Sequence, residues 1–371
     1  MKIALELQPC SNQMSGIGHY TFQLAKRIYE MDAAEVSGNY FNFCMRNPKL
    51  KDLGMSGKVH YNALLPYGIY RRIWDVLPIP YRVMFPRADV THFFDYIVAP
   101  GVSGKVIDTI YDLTYLRFPE MMNERNLKRL QGGLRRSLDR CDRIVTDSAF
   151  VKGEIVRELG FDAHRIDVVY PAAVDDAAGE LPAEYLKEKW GLTKPYVLYL
   201  GTIEPRKNLN RLIQAYAKVT REIEHPPKLV LAGGRGWNAE ETYRLAEELL
   251  PGQVLFTGYL TAQEKKLMLG HAALFVFPSL YEGFGIPVLE AMQSGVPVVC
   301  ANTSSLPEVA GDSARLVEPT DVVDIASGML ELLTDPAGAE RLALRGKVQA
   351  ERFSWDRSAE QLMQIYRRLG E

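Results

Sequence analysis

The feature that most restricts the fold of this 371-residue chain is one unit met repeatedly: a short apolar segment, a turn rich in Gly, Pro or Asn, then a stretch of helical periodicity. KIALEL leads through QPCSNQMSGIGHY into a helix reaching about Met31. YVLYL leads through GTIEPRKN, and ALFVF through PSLYEGFG, into further helices. Strands that alternate with helices are joined by crossovers and pair in parallel. The recurrence in both halves therefore predicts an α/β protein with two parallel sheets wrapped by helices. The length also exceeds what one core usually supports. The strand RIDVVY runs into PAAVD, and the polar loop reaching Pro182 reads as a linker. The expected division is residues 1–175, residues 176–352, and a final helical segment, 353–371.

Composition narrows the function. An apolar content of 47% with 24% charged residues is that of an ordinary globular protein. Cys10, Cys44, Cys141 and Cys300 are scattered, which argues against a cysteine zinc site or a disulfide frame and for a reducing compartment. MKIALELQP reads as a first strand and not as a signal peptide. No apolar run approaches a spanning helix, so the expected location is cytoplasmic, or peripheral on the inner face of the cytoplasmic membrane. The first 175 residues carry 23 Lys/Arg against 20 Asp/Glu and the remainder 21 against 26. That bias is too weak to make nucleic acid a default partner.

The stretch FPSLYEGFGIPVLEAMQSGVP, residues 277–297, carries most of the chemistry. Its apolar strand ends in the turn Tyr281–Glu282–Gly283–Phe284–Gly285, and a helix follows from about Ile286 with Pro287 in its first turn. Glycines ahead of a helix start let a ligand approach the backbone amides at the positive end of the helix dipole, which is an anion site. Glu282 and Glu290 bracket that site, and carboxylates accept hydrogen bonds from sugar hydroxyls. A ligand with phosphates in its middle and a sugar at each end fits this layout. Arg206 and Lys207 stand at the carboxyl end of another strand, just before a helix expected to be capped at Asn208. Arg forks two phosphate oxygens, and Lys adds a mobile point charge.

YEGFGIPVLEAMQSGVPVV, together with GTIEPRKN, resembles the E-x7-E signature and the diphosphate-binding segment of retaining glycosyltransferases of the GT-B fold, group 4, and is most similar to bacterial polysaccharide mannosyltransferases. The resemblance spans essentially the whole chain and is densest over 195–310. It implies two Rossmann-like domains facing across a cleft, acceptor-binding first and nucleotide-sugar-binding second, with the last helix crossing back to the first domain on Trp355 and Tyr366. It implies a hexose transferred from a nucleotide diphosphate sugar, best matched by GDP-mannose, to a lipid-linked or growing surface glycan, with no metal and no cofactor beyond this co-substrate. UDP-hexoses and dTDP-rhamnose stay open as donors. On this resemblance Arg206, Lys207, Glu282 and Asp112 carry catalysis. Gly16, Gly18, Gly201, Thr202, Gly233, Tyr259, Leu260, the segment Gly283–Phe284–Gly285–Ile286 and Glu290 hold the donor.

On the acceptor side stand His92, Asp95 and Tyr111. ADVTHFF (88–94) and KVIDTIYDLTYL (105–116) read as strands whose carboxyl ends would line a ligand crevice. His92 fits either a satisfied core histidine or the acceptor site. Tyr111 replaces the histidine usual in the family's His-Asp pair, and Asp112 matches. Residues 64–87 interleave Tyr67, Tyr70, Trp74, Tyr81 and Phe85 with arginines. They read as a proline-broken helix pair covering the first sheet, or as an interfacial patch joined by the basic run 125–143. The rival functions are an epimerase or phosphorylase of the same fold, and a non-catalytic nucleotide-sugar sensor.

Overall fold

The computed structural model describes residues 1–11, 16–31, 35–45, 58–74, 77–174 and 179–371. It divides into two units: Met1–Pro171 with Ser354–Glu371, and Ala172–Phe353. The expected boundary at 175/176 lies outside the described residues.

The first unit holds β1 (Lys2–Glu6), β2 (Glu35–Phe41), β3 (Lys58–Asn62), β4 (Val90–Phe93), β5 (Lys105–Thr109), β6 (Arg143–Thr146) and β7 (Ile166–Val168). All pair in parallel in the order β3-β2-β1-β4-β5-β6-β7, with Ile3 opposite both Val36 and Val90. β5 stops at Thr109, short of the expected 116. The Oδ1 of Asp112 accepts the Thr114 amide at 2.9 Å and turns the chain into a short helix, Thr114–Arg117.

The run 64–87 is the proline-broken helix pair. Pro66 and Pro80 cap the helices Tyr67–Ile73 and Tyr81–Met84. Its aromatics turn inward: Phe41 of β2 packs against Tyr70 at 5.1 Å and Phe85 at 4.9 Å between ring centroids. The final helix, Trp355–Gly370, belongs to this unit. Trp355 meets Tyr20 edge to face at 5.7 Å, and the Ser358 hydroxyl donates to the Tyr170 carbonyl at 2.5 Å.

The second unit holds β8 (Tyr196–Leu200), β9 (Leu229–Ala232), β10 (Val254–Gly258), β11 (Ala272–Phe277), β12 (Val298–Ala301) and β13 (Arg315–Val317), parallel in the order β10-β9-β8-β11-β12-β13. β8 is buried along its whole length, as expected of a central parallel strand covered on both faces. In both units the strand order reverses beside the first strand, the arrangement of a doubly wound nucleotide-binding sheet. The reversal lies between β1 and β4 in one unit and between β8 and β11 in the other. A ligand crevice is expected beyond the strand ends at such points.

Candidate active site

In the second unit the loops after β8 and β11 meet at that reversal. The Leu280 amide donates to the Arg206 carbonyl at 2.9 Å. Asn208 does not cap its helix through its side chain; it sits at φ 61° and its Nδ2 donates to the carbonyls of Pro278 (2.9 Å) and Pro319 (2.6 Å). The Glu282 amide donates to Ser304 Oγ at 3.0 Å, and Ser305 Oγ donates to the carbonyls of Glu282 and Phe284. These bonds fix the turn that the sequence singled out. Gly285 has φ 107°, and a Cβ there would stand 2.6 Å from Leu306 Cδ2. Glycine is therefore required just before the helix Ile286–Gln293. The amides of Gly285 and Ile286 have no hydrogen-bond acceptor among the described residues.

Arg206, Lys207 and Glu282 come together in one cluster with Glu204, which the sequence reading passed over. Arg206 donates to Glu282 Oε2 and to Glu204 Oε1, each at 2.9 Å, and to the Tyr281 carbonyl at 2.6 Å. Lys207 Nζ donates to Glu282 Oε1 at 2.6 Å and lies 5.3 Å from the Phe277 ring centroid. The four side chains are between 4% and 16% exposed, so they interact in a medium far less screening than water. Burial would raise the Glu282 carboxyl, but Arg206 and Lys207 outweigh it and hold the group at about 2. At Glu204 burial outweighs the same cations and raises the carboxyl. Burial, with Arg206 beside it, lowers the Lys207 ammonium. Both Glu282 oxygens are engaged by cations, yet each keeps a further lone pair for a sugar hydroxyl.

Glu290 is buried and its partner is Lys265, whose ammonium donates to Oε1. Burial raises the Glu290 carboxyl despite that ammonium. Lys265 comes from the helix Ala262–Gly270, 25 residues away, and no local pattern points to it. Gly201 and Gly233 follow β8 and β9, and a Cβ on Gly233 would fall 1.9 Å from the Gly201 carbonyl oxygen, so the two loops are in backbone contact. The Thr202 carbonyl accepts from the Tyr199 hydroxyl at 3.1 Å. Tyr259 and Leu260 follow β10, with Tyr259 65% exposed.

The first unit assigns different work to the acceptor-side residues. His92 does not line a crevice. It is wholly buried, with Nδ1 2.7 Å from the Tyr366 hydroxyl and Nε2 2.8 Å from Thr109 Oγ1; it joins the last helix to the sheet core. The Tyr111 ring is buried and its hydroxyl donates to the Phe94 carbonyl at 3.0 Å, so that hydrogen has a structural acceptor. Asp95 pairs with Arg129. Gly16 and Gly18 open the helix Gly16–Glu30, while the loop 12–15 ahead of them lies outside the described residues. Sequence reasoning also missed Glu6, which ends β1 at the strand-order reversal. Burial, with Asp95 adding to it, pushes its carboxyl up to about 8.

The comparisons with known proteins agree with this geometry. The glycosyl transferases group 1 family matches residues 184–349. The chain is 33% identical to the O-antigen chain mannosyltransferase B of Escherichia coli over the full length of both proteins. It is 32% identical to the serotype-specific mannosyltransferase WbdA of Escherichia coli over 78% of this chain and 37% of that larger protein. Among solved structures, sucrose-phosphate synthase from Thermosynechococcus elongatus superposes with TM-score 0.75 at 18% identity, covering 100% of this chain and 99% of that one. Anabaena Alr3699/HepE in complex with UDP and glucose does so with TM-score 0.75 at 18% identity over 100% of both chains. Two doubly wound units, a cationic cluster at the reversal of one of them, and full-length likeness to a mannosyltransferase place this chain in the group 1 glycosyl transferase family, with the GT-B fold.

Proposed function

We propose that this chain transfers mannose from GDP-mannose to a hydroxyl of a lipid-linked or growing surface polysaccharide, with retention at the anomeric carbon and without a metal ion. The observation that carries this reading is the pair Arg206–Lys207, held at the end of β8 by buried carboxylates. Cations fixed beside the Gly283–Ile286 turn suit a diphosphate leaving group. Their field is in place before charge develops, which is the largest catalytic term where a leaving group becomes more negative. As the bond from the anomeric carbon to the diphosphate oxygen breaks, the acceptor oxygen bonds to that carbon on the same face, and its proton passes to the departing phosphate oxygen. Glu282 holds sugar hydroxyls and Glu290 the ribose. Asp112 of the first unit joins Arg206, Lys207 and Glu282 in catalysis, whereas Asp95 and Tyr111 are engaged by Arg129 and by the Phe94 carbonyl.

The choice of mannose is supported by the names of the two relatives, the first matched end to end. Peripheral contact with the inner face of the cytoplasmic membrane is supported by Leu64, Ile69, Leu77 and Val83, all exposed near the arginines of 64–87. Among the described residues no helix is long and apolar enough to cross a membrane.

A thermal-shift panel of GDP-mannose, UDP-glucose, UDP-galactose and dTDP-rhamnose tests the donor. At a hundredfold excess over Kd, a ligand adds about 2.7 kcal/mol of stability, or roughly 5–10 °C for a unit of this size. Stabilisation by a uridine or thymidine donor in place of GDP-mannose overturns the donor assignment. Product NMR reads the anomeric configuration, and inversion overturns the mechanism. Loss of transfer in EDTA overturns metal independence.

A further inference from the structure

The first unit contains a cavity of about 790 Å³ between the helix Tyr67–Ile73 and the helix Glu124–Leu138, with Ile97 on its wall. The segments that form it follow β3, β4 and β5, so it lies beyond the carboxyl ends of those strands, where an α/β sheet receives ligands. Its charge is one-sided. Arg71 and Arg72 come from the first helix; Arg125, Arg129 and Arg136 come from the second, with Arg140 just past its end. None of the described residues lining it is Asp or Glu. Arg129 pairs with Asp95, and Lys128 with Glu124; Arg71 acts on the buried Glu6 carboxyl only through its field, and Arg72 and Arg125 have no carboxylate within ion-pair distance among the described residues. The Nε of Arg129 is buried with no hydrogen-bond partner among them.

Two further details point to an occupant. Gly132 and Gly133 sit in the middle of the second helix, where each glycine costs about 1 kcal/mol relative to alanine. Gly133 has a packing reason: its Cβ would stand 2.7 Å from Ile97 Cδ1. Gly132 has none, since a Cβ there meets nothing within 4 Å, and Gly132 lines the cavity. Tyr67 and Trp74 line the same wall, and the Arg71 guanidinium lies over the Tyr67 ring, 5.6 Å from its centroid. Forked guanidinium groups around an open floor match the oxygens of adjacent phosphates better than they match a single charge.

We propose that this cavity binds a diphosphate group, the one that joins the acceptor glycan to its lipid. The identification of that group as part of the acceptor rests on the transfer reading above; the diphosphate site itself does not. The cavity thus recognises the acceptor by its linkage chemistry: Arg71, Arg72, Arg125, Arg129, Arg136 and Arg140 serve a pocket, and the exposed apolar side chains of 64–87 stay available to a membrane surface.

The test is titration calorimetry with inorganic pyrophosphate and with farnesyl diphosphate, on the full chain and on Arg72→Ala, Arg125→Ala, Gly132→Leu and Lys207→Gln. Arg72 and Arg125 are exposed, so their removal leaves the fold intact. Each is expected to weaken both ligands about tenfold, the effect of one lost charge-assisted hydrogen bond. Gly132→Leu is expected to raise Tm, since leucine suits a helix better, while weakening binding by steric block. Lys207→Gln removes a phosphate ligand of the other unit and is expected to leave cavity binding unchanged. Loss of pyrophosphate binding in Lys207→Gln with retention in the arginine variants overturns the proposal. So does an effect of the arginine variants confined to flotation with phosphatidylglycerol vesicles, which assigns the charges to a lipid surface. Pyrophosphate binding at the cavity with no sugar transfer from any donor keeps the site and refutes the transfer reading.

Discussion

Glu282→Gln tests the cationic cluster directly, because the amide keeps the shape of the carboxylate and removes only its charge. In the folded chain the Glu282 carboxyl is held at about 2, below its ordinary 4.5, a displacement worth roughly 3 kcal/mol of stability to the second unit. Replacement at pH 7 forfeits that amount, in line with the 3–5 kcal/mol typical of breaking a buried pair. The sign follows from which state binds the proton. The folded value lies below the unfolded one, so the contribution is complete above about pH 4.5 and is lost as pH falls toward 2. At pH 3 only about 1 kcal/mol remains. Native-state hydrogen exchange on peptides covering 196–200 and 272–277 reads the second unit alone. The variant is expected to exchange on the order of a hundredfold faster than the parent at pH 7, and only several-fold faster at pH 3. Equal exchange at pH 7, or a deficit that does not shrink in acid, would refute the claim that the two cations hold this carboxylate.

The same physics gives the first unit a different acid response. Burial lowers the His92 imidazole to about 3, so only the unfolded chain takes up this proton between about pH 6.5 and 3. Stability there should fall by roughly 1.4 kcal/mol per pH unit, and urea midpoints followed by exchange at 90–93 check it. Tyr366→Phe removes the hydroxyl on Nδ1 and is expected to lower stability by about 1–3 kcal/mol in the same assay. Gly285→Ala places a methyl group on Leu306 at a backbone angle that L-residues avoid; a loss of about 1–3 kcal/mol and weaker nucleotide binding by calorimetry are expected. Lys207→Ala should lower kcat about a hundredfold or more with little change in donor affinity, since its charge matters most as the diphosphate departs; steady-state kinetics with calorimetry separates the two quantities.

What was legible in the sequence was local. A strand, a glycine turn and a helix with Pro287 in its first turn follow one another in the chain, so the turn 281–286 could be read directly. The pairings that complete the cluster could not. Arg206 and Lys207 meet Glu282 across 76 and 75 residues, and Glu290 finds Lys265 on another helix, whose capping box at Thr261 and Glu264 marks its start and not this contact. Glu204 was passed over because a carboxylate two positions before an arginine is ordinary surface chemistry, and only burial makes it part of a cluster. For a related reason the sequence left His92 between the acceptor site and the core. A polar residue near the end of a strand can point to a crevice or into the core, and the decision came from Tyr366, 274 residues away. β5 was drawn too long because DTIYDLTYL keeps its β-formers past the point where Asp112 turns the backbone.

The cluster has a form that stability alone does not explain. Four charges buried together are often no better for a fold than apolar side chains of the same volume, because each must lose its water. Glu204 and Glu282 balance Arg206 and Lys207, so the unliganded unit is not strained by uncompensated charge. The backbone then locks the arrangement, through the Leu280 amide on the Arg206 carbonyl and the Ser304 and Ser305 hydroxyls around the 282–284 turn. Cations fixed in this way need not reorganise when an anion develops negative charge beside them, whereas solvated lysines and arginines on a surface would. The carboxylates weaken the field seen by a ligand, yet without them burial and mutual repulsion would drive the cations apart and draw the proton off Lys207. Glu282 is therefore a condition for having two adjacent cations at the end of β8 at all.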